Sequence, residues 1–155
     1  MDWKHLIQFA LRGSRDSEQY AILMARVAIG LFFTISGASK LFVAGGLNPV
    51  YDTLVEAKAP APRLLAYFVS SVEFVGGCLL TVGFLSSPVC VALLIDMAVA
   101  VLTNSLSTLP TGLSPLRWLD DFLYLPEVLY MLFFIWFICS GPGRFSVDFW
   151  IAGKL

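Results

Sequence analysis

Four stretches of the chain stay apolar long enough to cross a hydrocarbon core about 30 Å thick, at about 1.5 Å of rise per helical residue. They run from about Tyr20 to Phe42, Leu64 to Phe84, Val89 to Leu106 and Leu119 to Ser140. Buried helices of a soluble protein would show a polar outer face at a 3.6-residue period, and Val27 to Ser36 or Met131 to Cys139 show none. Residue usage agrees: of 155 residues, 58% are hydrophobic and 14% charged, against about 25% charged in an ordinary soluble domain. The expected fold is all-α, an integral membrane four-helix bundle with antiparallel spans. A net charge of -1 gives no basic surplus for nucleic acid, so membrane lipid is the partner that the surface fits.

The chain divides into an N-terminal segment (1–19), a four-span domain (20–150) and a short tail (151–155). In the first, Trp3, Leu6, Ile7 and Leu11 recur at helical spacing against Lys4, Arg12 and Arg15, the pattern of an amphipathic helix lying in the membrane interface. No A-x-A site follows it, so a cleaved signal peptide is not expected. Leu85-Ser86-Ser87-Pro88 reads as a tight turn making the second and third spans antiparallel neighbours. Asn48-Pro49 reads as an N-cap followed by proline, opening a short helix from Val50 to Ala57 before the Pro60/Pro62 break. A second long connection holds Pro110, Gly112 and Pro115. Lys4, Arg12, Arg15, Arg144 and Lys154 fall on one side of the four spans and Lys58, Arg63 and Arg117 on the other, which puts both termini in the cytoplasm, as for a bacterial inner (plasma) membrane protein.

Cysteine and histidine usage removes whole mechanisms. Cys78, Cys90 and Cys139 stand apart with no C-x-x-C spacing for thiol exchange. The single histidine, His5, lies outside every span, so a bis-histidine haem is not expected, no cofactor is held covalently and no residue is assigned to a metal.

Charges inside the spans are the informative feature. Arg26, Lys40, Glu73, Asp96 and Glu127 interrupt apolar helices and should face the bundle interior, because an unpaired charge at the bilayer centre costs several kcal/mol. Arg26, Gly30, Phe33, Gly37 and Lys40 share one helix face, with small residues that permit close approach. Glu73 aligns with Gly77 and Thr81, Asp96 with Ala100, Thr103 and Asn104, and Glu127 with Tyr124, Tyr130 and Met131. Depth from helical rise matches Arg26 with Asp96 at one level and Lys40 with Glu127 at the other, leaving Glu73 between them. Two cations then face three carboxylates, so one acid holds a proton or a ligand supplies the missing partner, and Glu73 is the leading candidate. The alternative is a network that only fixes helix packing.

Arg26-Val27-Ala28-Ile29-Gly30-Leu31, Ser36-Gly37-Ala38-Ser39-Lys40-Leu41, Glu73-Phe74-Val75-Gly76-Gly77 with Gly83, and Gly141-Pro142-Gly143-Arg144-Phe145-Ser146-Val147-Asp148 together resemble the DoxX family over about residues 20 to 150. Arg26, Lys40, Glu73, Arg144 and Asp148 match that family's polar positions, while the segment from Thr103 to Trp118 is longer than the connection in many members. Arg144 and Asp148 also read as an i, i+4 pair closing the fold beside an interfacial Trp150. The resemblance implies a membrane subunit of a quinone-linked oxidoreductase complex, as in thiosulfate:quinone oxidoreductase or assemblies handling oxidative stress. In that reading Glu73 handles a proton, Arg26 or Lys40 polarises a carbonyl, and Asp96, Glu127, Tyr124 and Asn104 line the ligand site, with a quinone as ligand and a redox protein as partner. The alternatives are a non-catalytic membrane anchor or assembly partner, a small-molecule carrier, and association with further copies of itself.

Overall fold

The computed structural model describes residue 3 and residues 15–110, 112 and 114–154, and these are helical with no strands among them. The expected amphipathic helix of residues 1–19 lies almost wholly outside the described residues. Helix α1 spans Arg15–Phe42, α2 Asn48–Glu56, α3 Pro62–Val82 and α4 Ser86–Ala100. A π-helical turn, Val101–Ser105, and a last turn, Leu106–Thr108, prolong α4 into one rod. Helices α5 (Pro115–Leu123), α6 (Pro126–Ser140) and α7 (Val147–Ala152) complete the chain.

Three helices are long and apolar enough to cross a membrane by themselves: Ser17–Phe42, Pro62–Val82 and Ser86–Thr108. The expected fourth span, Leu119 to Ser140, is not one helix. It breaks at Tyr124-Leu125-Pro126, and α5 and α6 meet at 68°. Pro126 is the cause: its ring disfavours helical geometry in the preceding residue, and Leu125 is accordingly extended at ψ 127°. The 15 residues of α6 rise about 22 Å, less than a full hydrocarbon core. Amphipathic α5 supplies the rest of the connection. Its apolar Leu116, Trp118 and Leu119 are exposed, as suits a helix lying in a lipid interface.

Packing is built from two helix pairs, α1 on α3 and α4 on α6, joined through α3 on α4. The α1–α3 contact is nearly backbone on backbone. A Cβ at Gly37 would lie 2.7 Å from Phe74 Cα, one at Gly77 2.7 Å from Gly30 O, and one at Gly30 2.7 Å from Thr81 N. Without a solvent-driven hydrophobic effect between helices in lipid, such close approach supplies the van der Waals contact that holds the pair. On the other side of α3, Gly76 meets Leu93 of α4. The core between the pairs is filled by Ile29, Phe33, Leu80, Leu93, Met97 and Phe134, with Phe33 and Phe134 ring centroids 5.5 Å apart. Phe133, Ile135 and Trp136 face outward, as their place on the fourth apolar run suggests.

Two local expectations shift. Asn48 is already helical and Leu47 is the N-cap, with no side-chain cap bond, so Pro49 alone marks the start of α2. The α3–α4 turn is Gly83-Phe84-Leu85 rather than Leu85 to Pro88, with Gly83 and Leu85 both left-handed at φ 73° and 51°.

Overpacking a close helix contact costs about 1–3 kcal/mol. Gly37→Val should therefore lower the unfolding midpoint in detergent, while Ala28→Val on the exposed face should leave it unchanged. Equal midpoints for the two variants would contradict the α1–α3 geometry.

Candidate functional site

The glycine contact decides which charges meet. With α1 and α3 antiparallel and Gly37 set on Phe74, the next inward residue of α1, Lys40, arrives beside Glu73. Its ammonium donates to both carboxylate oxygens, at 2.6 Å and 2.5 Å. Glu73 is only 4% exposed. It is therefore ion-paired, not the lone acid expected from the sequence, and Lys40 does not pair with Glu127.

Asp96, beside that pair, has no hydrogen-bond partner among the described residues. Its Oδ2 is buried with no hydrogen bond. Lys40, Glu73 and Asp96 line one cavity of about 230 Å³, to which α2 contributes Pro49 and Leu54 and the π-helical turn contributes Asn104. Asp96 and Leu54 also line an adjoining groove of about 470 Å³, apolar apart from Asp96 and Thr103, that runs past Phe68, Val72 and Ile95. Phe68 and Ile95 are exposed on the outside of the bundle. A polar interior thus opens beside a surface that faces lipid. The π-helical turn belongs to this wall, where such turns often reshape a helix around a ligand.

Arg26 lies elsewhere, about 21 Å along α1 from Lys40 at 14 residues. The expected Arg26–Asp96 pair is absent, because the guanidinium is spent on backbone. It donates to Leu80 O at 2.8 Å, Thr81 O at 2.7 Å and Phe145 O at 2.7 Å. The first two are carbonyls of the last turn of α3, of which Leu80 O also accepts from Gly83 N at 3.1 Å, and there a cation also meets the negative end of the helix dipole. Gly83 is required beside it, since a Cβ there would lie 2.6 Å from Arg26 Nη1. Asp148 completes the clamp: its carboxylate accepts from Leu85 N at 2.8 Å and Ser86 N at 2.7 Å, and its own N–H donates to Gly83 O at 2.9 Å. Those bonds hold the left-handed Leu85 in place and cap the start of α4. Arg144 precedes helix α7, so it is not an i, i+4 helical neighbour of Asp148. Its backbone N–H donates to Gln19 Oε1 at 2.9 Å.

The remaining expectations separate. Glu127 sits in the first turn of α6 with Oε2 buried and without a hydrogen bond, near Tyr130 rather than Lys40. Tyr124 ends α5 and is 86% exposed, so the break at Pro126 removes it from the face of Glu127. Asn104 does line the cavity. Two participants were missed in the sequence: α2, whose docking over Glu73 could not be read from a nine-residue helix, and the Glu73–Asp96 level. The second was countable. Glu73 lies nine residues before the end of α3 and Asp96 ten after the start of α4, about 14 and 15 Å from the shared turn.

The fold and interior define a helical membrane protein with an interior, part-buried ion pair beside a lipid-facing groove. The DoxX family model matches residues 21–105. A relative, the uncharacterized membrane protein Rv3486 of Mycobacterium tuberculosis, is 30% identical over 134 residues, covering 83% of this chain and 79% of its own. The chain belongs to the DoxX family. No solved structure matches it.

Removing one member of a buried ion pair costs about 3–5 kcal/mol, whereas replacing both by apolar groups is often near neutral. Lys40→Met should destabilise the protein strongly in detergent, and Lys40→Met with Glu73→Met should recover most of the loss. A double variant no better than the single one would show that the two charges act separately. At the clamp, Asp148→Ala should lower the unfolding midpoint through loss of about 1–2 kcal/mol of capping.

Proposed function

We propose that this DoxX protein is the membrane subunit of a quinone-linked oxidoreductase complex, and that the cavity of Lys40, Glu73 and Asp96 receives the quinone head. The observation that carries the reading is the Asp96 carboxylate, without a hydrogen bond, at the junction of the cavity that holds Lys40 and Glu73 and a largely apolar groove. A quinone has both halves, a polar ring and an apolar tail. Reducing it takes two electrons and two protons, and the electrons come from the reduced partner protein of the complex. This chain's residues supply the rest. Lys40 donates a hydrogen bond toward a carbonyl oxygen from beside Glu73, and the trio is neutral when its two acids share one proton; Asp96 passes that proton to the quinone and takes up a second from solvent water for the second transfer. The groove past Phe68 and Ile95 admits the tail from the bilayer.

A pure anchor or assembly partner would have its interior filled by its own side chains, and the open cavity with a buried, unsatisfied carboxylate favours a ligand over that role. The excess of Lys and Arg on the side of the termini supports a bacterial inner membrane location with both termini facing the cytoplasm.

A photoactivatable azidoquinone incubated with the protein in lipid nanodiscs tests the site. Cross-links should fall on α2 around Pro49 to Leu54 and on α4 around Asp96 to Asn104, and Asp96→Leu should remove them while the protein stays folded. Labelling spread over the exposed faces of α4 and α6, or unchanged in Asp96→Leu, would overturn the assignment.

A further inference from the structure

A second cavity, of about 630 Å³, lies between the end of α1, the 43–47 connection, α2 and the first turns of α3. Its lining includes two cations, Lys40 and Arg63, two phenols, Tyr51 and Tyr67, and the amide of Asn48, but no aspartate or glutamate. Asp52 and Glu56 of α2 are exposed and do not line it. Lys40 is already engaged by Glu73 on the other side. Arg63 has no ion pair and no hydrogen-bond partner among the described residues, and it is the uncompensated charge of the cleft.

We propose that this cleft binds a phosphate group, carried by an anionic lipid headgroup. An arginine, a lysine and two tyrosines lining one space suit a tetrahedral oxyanion, to which arginine can bond in bidentate fashion. Position favours a lipid over free phosphate. The cleft lies at the ends of two spanning helices, the level at which headgroups and interfacial tyrosines sit. From Arg63 the outer face of α3 continues through exposed Leu64 and Phe68, a track for an acyl chain below the bound headgroup. The site shares Lys40 with the first cavity, and it stands whether or not a quinone binds there. Occupancy would place an anion on the far side of Lys40 from Glu73, so the lipid would bear on the ion pair at the centre of the bundle.

Native mass spectrometry of the full chain in mild detergent provides the test, with phosphatidylglycerol, phosphatidylcholine of the same acyl chains, and inorganic phosphate as probes. Phosphatidylglycerol should be retained in preference to phosphatidylcholine. Arg63→Gln should weaken that retention about tenfold or more, the effect of losing one charge-assisted contact. Tyr67→Phe, a change too small to threaten folding, should weaken it less. Arg117→Gln, which removes a cation that does not line the cleft, should change nothing. Equal retention of the two lipids, or retention unaffected in both Arg63→Gln and Tyr67→Phe, would overturn the proposal. Arg63-dependent binding of inorganic phosphate without lipid retention would uphold the phosphate site and overturn its lipid source.

Discussion

The contact of α1 with α3 through Gly30, Gly37 and Gly77 is the constraint from which the rest of the interior follows. Where a Cβ would fall within 2.7 Å of the opposing backbone, neither helix can slide without losing the contact or creating a clash. A fixed register then brings Lys40 to Glu73, and at the other end it brings Arg26 to the last carbonyls of α3. Two basic residues on one face of one helix thereby acquire different work. Arg26 terminates a helix and ties down the closing segment, whereas Lys40 neutralises an acid in a cavity.

That division follows from what surrounds each cation. A guanidinium carries five donors in a planar fork and can bond several carbonyls at once, which suits a helix end rich in unsatisfied oxygens. An ammonium is a compact charge, and Lys40 meets a carboxylate that has no other hydrogen-bond partner among the described residues. The clamp at Gly83 and Asp148 sets the α3–α4 turn, and with it the depth of Asp96 relative to Glu73. Structural residues and candidate ligand residues are therefore coupled through helix register rather than through direct contact.

Much of this was legible in the sequence, and the failures share one cause. The three unbroken spans, the inward charges, the small-residue face of α1 and the family motifs follow from local composition and period. The pairing of Arg26 with Asp96 and Lys40 with Glu127 rested on depth alone. Depth ignores which backbones can touch, and the glycines that settle this were visible in the same motifs. Counting outward from the Gly83 turn would have matched Glu73 with Asp96. The break at Pro126 was legible too, since proline disfavours helix in the residue before it, but an unbroken apolar run from Leu119 concealed it. How α2 docks depends on tertiary packing of a nine-residue helix, which no local pattern encodes.

What the interior does with a proton is the central chemical question, and the carboxyl groups report on it directly. Infrared difference spectroscopy of the protein in lipid, recorded between the oxidised and reduced states of an added quinone, isolates carboxyl groups whose protonation or hydrogen bonding changes. A carboxyl band that appears on reduction and disappears in Asp96→Asn is the result this account predicts. A difference spectrum with no carboxyl signal, or one unchanged in Asp96→Asn, would contradict it.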